Sequence, residues 1–378
     1  MITSLQQSMR RAPKSCQDAT MIIFPIIVTA GFFIACLVAD TALAPECTPF
    51  TMLHLAIPAI GKGSGMCKSL PFWGDLASIT LTMTASLIIA AHWVFVSRLQ
   101  NLDKKLTDSG LMANESDFGE AIERYRKEWK AHWSLRVLLL LLCLSAAAFF
   151  YVHTHERSQV FASLSAQTSH LISAERFEAT WWMNFENHPV ITSLWLLLGA
   201  TGGYFAVKQG LLYVYLIRVT RKANDKWGFE YVSALRDESF GWKPVGEIIN
   251  IVYVGFVDFA FASAVLFYVM GSDQGARWPE YAILSLGALG LLFNLIALGI
   301  LITFMMKKHH EIIEREKKRV LKKVSDPAES ERAAYWMACG THLHLAPQHY
   351  PMNSRLKPLI ALTPGIFALY RIAAEIHK

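Results

Sequence analysis

VITSLWLLLGATGGYFAVKQGLLYVYL, residues 190–216, is an apolar run interrupted by one charge, Lys208, and one amide, Gln209. Roughly 20 apolar residues in a helix cross the hydrocarbon of a bilayer. A lone apolar strand would leave its backbone groups unpaired there. The run therefore reads as a transmembrane helix. It raises the question of what answers Lys208, since an ammonium in hydrocarbon is costly unless it is paired or reaches the surface.

Five further runs have the same character: Thr20–Ala39, Leu76–Val96, Leu135–Val152, Ile248–Met270 and Tyr281–Met306. Of the 378 residues, 53% are hydrophobic and only 17% charged, where a soluble domain is about one quarter charged. The expectation is an all-α, polytopic transmembrane helix bundle with six spans and cytoplasmic helical extensions. Residues 1–19 form its N-terminus and 20–306 the membrane domain, with loops at 40–75, 97–134, 153–189, 217–247 and 271–280. Residues 307–378 form the tail. The first run follows Arg10, Arg11 and Lys14 like a signal peptide, but its apolar core exceeds the 7–15 residues of a signal h-region. It is read as a retained helix.

Basic residues alternate between loops. They fill the N-terminus, the stretch from Arg98 to Lys130, the stretch from Arg218 to Lys243 and the stretch from Lys307 to Lys323. The other loops hold only Lys62, Lys68, Arg157, Arg176 and Arg277. By the positive-inside rule both termini are cytoplasmic. The net charge of +6 is then a topology signal, and no nucleic-acid partner is expected. Size and charge bias point to a bacterial inner membrane. Trp73, Trp181, Trp182 and Trp278 suit an outer aromatic belt, and Trp93, Trp133 and Trp242 an inner one.

Lys208 travels with candidate partners. Counted from the cytoplasmic ends of their runs, Lys208 lies roughly 13 Å deep, Asp258 roughly 15 Å and Asn294 roughly 18 Å. Three readings stand. The four side chains Lys208, Gln209, Asp258 and Asn294 form a polar site on an ion or proton path. Alternatively, Lys208 and Asp258 form a buried pair that fixes helix register, or Lys208 snorkels to the headgroups. Asp258 has a short side chain near mid-helix, so it should face protein or water, or else be protonated. His92, beside Trp93, is expected at the inner interface. Gly199 and Gly203 form a G-x-x-x-G that suits close helix packing.

Outside the runs, Cys47 and Cys67 share the first outer loop and are a disulfide candidate. Residues 114–133, NESDFGEAIERYRKEWKAHW, carry charges four apart. No Pro or Gly separates them from the third run, so one long inward rod is expected. Likewise HEIIEREKKRVLKKV extends the sixth helix to about Val324, where Asp326-Pro327 stops it. Arg124, Lys127, Arg315 and Lys318 on these arms are candidate docking residues for a soluble cytoplasmic partner. In the tail, Cys339, His342, His344 and His349 offer a weak zinc or copper site. Residues 358–370 are apolar but too short to span. Glycines in DESFGWKPVGEI, 237–248, punctuate a turn, with a spacing unlike a phosphate loop. Nucleotide, metalloprotease and serine-hydrolase motifs are lacking, so no enzyme is expected. The function expected is an oligomeric pore-forming or transport-type component. The alternative is a scaffold or sensor subunit.

Overall fold

The computed structural model describes residues 14–43, 71–112, 118–157, 180–222, 229–232, 240–270 and 278–325. Among them run α1 (Lys14–Val38), α2 (Leu76–Gln100), α3 (Leu102–Asp108), α4 (Phe118–Ala131), α5 (Trp133–Arg157), α6 (Pro189–Lys222), α7 (Lys243–Met270) and α8 (Trp278–Val324). The described chain is all-helical apart from an isolated bridge between Met112 and Phe229. Five stretches are long and apolar enough to cross a membrane, in α1, α2, α6, α7 and α8, or six if the bent pair α4 and α5 is counted as one. Cys47 and Cys67, the tail residues Cys339, His342, His344 and His349, and residues 358–370 lie outside the described set.

The centre is α2, which packs on α1, α6 and α7. The long helix α8 lies on α7 and touches α6, and α5 covers another side of α6. The composition of α2 explains its place. Ser78, Thr80, Thr82, Thr84, Ser86, Ala90 and Ala91 are all buried, and small side chains let neighbouring helices approach. Two of the hydroxyls donate within the helix itself, Thr82 Oγ1 to the Ser78 carbonyl at 2.7 Å and Ser86 to that of Thr82. The bulky apolar residues of α1 and α5 point outward instead; Ile22, Ile27, Leu138 and Leu142 are all exposed.

Helix α6 lies against α2 at Gly202, where a Cβ would lie 2.8 Å from Ala85 Cβ and 3.0 Å from Ala85 Cα. This differs from the expected glycine pair. Gly199 faces open space, and Gly203 faces Cys143 Sγ on α5 at 3.6 Å. Adjacent glycines on α6 therefore serve two different neighbours, which a four-residue spacing cannot do.

The end of α2 that carries Arg98 is the basic end, and the other is the far end. At the far end Asp75 caps α2, its Oδ1 accepting from Ser78 N at 3.0 Å. Its Oδ2 accepts from Ser78 Oγ at 2.6 Å, Trp181 Nε1 at 2.9 Å and Trp182 Nε1 at 3.1 Å. Trp181 and Trp182 are 3% and 0% exposed, so they belong to the interior and not to an aromatic belt. The carboxylate and the Phe72 ring, 4.9 Å from that of Trp182, hold them there. Trp73 and Trp133 do face outward, whereas Trp242 is buried and Trp93 half-buried.

The arms at the basic end depart from free rods. Helices α4 and α5 meet at a 73° bend. The reason is the aromatic face of α4. Tyr125 packs 4.8 Å from Tyr215 and Trp129 packs 6.5 Å from Tyr204, both on α6, and a straight helix would strand them. Helix α8 is continuous to Val324 as expected, but Lys308, His309, Ile312, Ile313 and Val320 form a buried face along it. Arg124, Lys127, Arg315 and Lys318 remain exposed. The turn at residues 240–242 is fixed by Gly241, whose φ of +80° disfavours any side chain and whose carbonyl accepts from Ser109 Oγ at 3.1 Å. It seats Trp242, whose Nε1 donates to His309 Nδ1 at 3.2 Å.

Candidate functional site: a polar seam along the central helix

Polar groups meet α2 at successive levels. Below the Asp75 cap, Trp195 of α6 donates to Thr82 Oγ1 at 2.9 Å. Next, Thr84 Oγ1 donates to Asp258 Oδ1 of α7 at 3.1 Å, while Asp258 Oδ2 is buried without a hydrogen-bond partner. Two turns on, His92 is 1% exposed and its Nδ1–H donates to Gln209 Oε1 of α6 at 2.6 Å. The imidazole packs 5.1 Å from the Phe205 ring, and Lys208 Nζ lies over that same ring at 5.4 Å. The second nitrogen, Nε2, is buried and has no hydrogen-bond partner.

The seam ends in charge. Gln17 of α1 donates to Ser97 at 3.1 Å. Arg98, 4% exposed, pairs with Asp18 of α1 and donates to the Glu247 carbonyl of α7 at 3.3 Å. Lys105 of α3 pairs with the Glu247 carboxylate at 3.3 Å. Three helix ends are thereby tied around the end of α2. Each of the two ion pairs has one partner at least 40% exposed, so each contributes about 1 kcal/mol at most.

The four intramembrane residues expected to gather do not do so. No ion pair joins Lys208 to Asp258. Gln209 and Lys208 stand at the level of His92, and Asp258 stands at that of Thr84, eight residues or about 12 Å away along α2. Asn294 Nδ2 donates to the Gly290 carbonyl of its own helix at 2.9 Å. Depths counted from helix ends assume a common end plane; the register in which α6 and α7 meet α2 decides the matter instead. His92 is correspondingly inside the bundle and not at an interface. Reading for charges in apolar runs missed Thr84, Arg98, Asp18, Glu247 and Asp75. The signal for Thr84 was the hydroxyl at every second position from Ser78 to Ser86, which is unusual for a lipid-facing helix.

Comparison with known proteins settles nothing further. No family model, curated protein or solved structure matches the chain.

The seam offers an unpartnered carboxylate oxygen, Asp258 Oδ2, and an unpartnered imidazole nitrogen, His92 Nε2. Leaving a buried carboxylate oxygen unpaired costs several kcal/mol. Neutralised, the same oxygen is an orphan hydroxyl costing about 1–3 kcal/mol. Among the described residues no three His, Cys, Asp or Glu side chains gather as metal ligands. Cys16, Cys36 and Cys143 are free thiols. A crevice of about 390 Å³ between α1 and α6, lined by Val28, Phe32, Leu194 and Leu197 among others, carries no ionisable group and stands apart from the seam.

Proposed function

We propose that this chain is a multi-pass membrane protein of transport type, which passes a small cation along the seam of α2. The observation that supports it is the placement of Asp258. A carboxyl group near the middle of an apolar helix turns to a hydroxyl on the most enclosed helix and keeps one oxygen unpartnered. Intramembrane ionisable groups mark ion and proton pathways. The alternating basic loops support a bacterial inner membrane with both termini cytoplasmic.

Purified protein in liposomes is expected to pass cations, and Asp258→Asn to abolish that flux while leaving the helical spectrum unchanged. Protein-free leak rates from wild-type vesicles would refute the reading. A scaffold role is the second reading, favoured by the exposure of Arg124, Lys127, Arg315 and Lys318. It requires a silent bilayer and a co-purifying soluble protein that charge reversal at Arg124 and Lys127 removes.

A further inference from the structure

We propose that the cation is a proton, bound at Asp258 Oδ2, with His92 Nε2 as the next acceptor toward the basic end; this rests on the transport reading above. Metal cations are bound by shells of oxygen, six to eight ligands in the case of calcium. Asp258 has one side-chain partner, the Thr84 hydroxyl on Oδ1. The carbonyls of α2 and α7 serve their own helices. Asn294 on α8 keeps to its own helix as well. Among the described residues nothing near Oδ2 completes a metal shell.

A proton needs no shell. Placed on Oδ2, it removes the charge and leaves Oδ1 as a carbonyl oxygen, which accepts from Thr84 as observed. Loading takes one proton from hydronium onto Oδ2 and leaves water. Unloading passes it through water to His92 Nε2, whose imidazolium then releases it to water as hydronium, and nothing is oxidised or reduced. The groups that bear a positive charge lie elsewhere on the seam, Lys208 beside His92 and Arg98 at the end of α2. Neither meets Asp258, so no fixed cation takes the proton's place.

His92 is the independent observation. Its Nδ1–H is committed to Gln209, so Nε2 holds the lone pair, and that atom is buried and unpartnered. The groups facing it come from α6: Lys208 beside the ring, and Tyr213, which shares Gln209. Among the described residues, Asp258 Oδ2 and His92 Nε2 are thus both buried titratable acceptors without a hydrogen-bond partner, at successive levels of α2.

The test combines spectroscopy with flux, using the full chain in phosphatidylethanolamine–phosphatidylglycerol vesicles. Infrared spectra at neutral pH are expected to show a carboxylic acid C=O band that shifts in D₂O and is absent in Asp258→Asn. The nearly isosteric Thr84→Val removes the hydroxyl donor and is expected to shift the band without removing it. Internal dyes for protons, sodium and potassium are expected to report protons alone, with the signal falling to the protein-free rate in Asp258→Asn and retained in Asp258→Glu. Sodium or potassium flux that depends on Asp258, with no acid band, overturns the proton and leaves transport standing. An acid band without flux of any ion overturns transport itself.

Discussion

Replacing Gly202 with Ala puts one methyl group where two helices already touch. Its carbon would lie 2.8 Å from Ala85 Cβ, 3.0 Å from Ala85 Cα and 3.4 Å from the Ala85 carbonyl. Carbon atoms rest about 3.5–4.0 Å apart, so α2 and α6 must separate by roughly 1 Å. No rotamer relieves this, because every atom in the way is backbone or a Cβ. Such overpacking costs about 1–3 kcal/mol. Gly199→Ala is the matched control: its Cβ meets nothing within 4 Å. Both variants make the same gain of about 1 kcal/mol in helix propensity, so the difference between them isolates the contact. Unfolding followed by circular dichroism in mixed micelles of increasing dodecyl sulfate is expected to find Gly202→Ala less stable than Gly199→Ala by about 1–3 kcal/mol. Ala85→Gly should recover most of the loss, since it removes the opposing methyl. Equal midpoints for the two single variants, or no recovery in the double one, would refute the contact and the helix arrangement built on it.

Asp75→Ala removes the cap of α2, worth about 1 kcal/mol, and strands two buried indole N–H groups at about 1–3 kcal/mol each. A fall in the same unfolding midpoint is expected, with a change in tryptophan emission as Trp181 and Trp182 lose their acceptor; an unchanged emission maximum would count against the clamp. Trp242→Ala, at a side chain 1% exposed, is expected to cost about 3–5 kcal/mol. Trp133→Ala, at one 68% exposed, should change stability by no more than about 0.5 kcal/mol, and comparable losses in the two would mean that the buried contact between Trp242 and α8 is misplaced.

The long apolar helices α1, α2, α6, α7 and α8 were legible because length and apolarity are local properties of a run. The break between α4 and α5 was not. It occurs without Pro or Gly, and it follows from Tyr125 and Trp129 finding Tyr215 and Tyr204, residues 90 and 75 positions later. The same distinction divides the candidate site. That Asp258 must turn inward could be argued from its short side chain alone. That it meets Thr84 while Gln209 meets His92 depends on how three helices are registered. Trp181 and Trp182 were read as interfacial from their position beside an apolar run, whereas the acceptor that buries them, Asp75, lies on another segment.

The two anchored ends of α2 bear on how the molecule can move. Sliding it by one turn, about 5.4 Å, would tear both indoles from Asp75 and Arg98 from its partners together, so α2 behaves as a stator. Under the transport reading, displacement would then fall to α5, whose described residues make no such fastening to α2, and spin labels on that helix are where a change of distance would register.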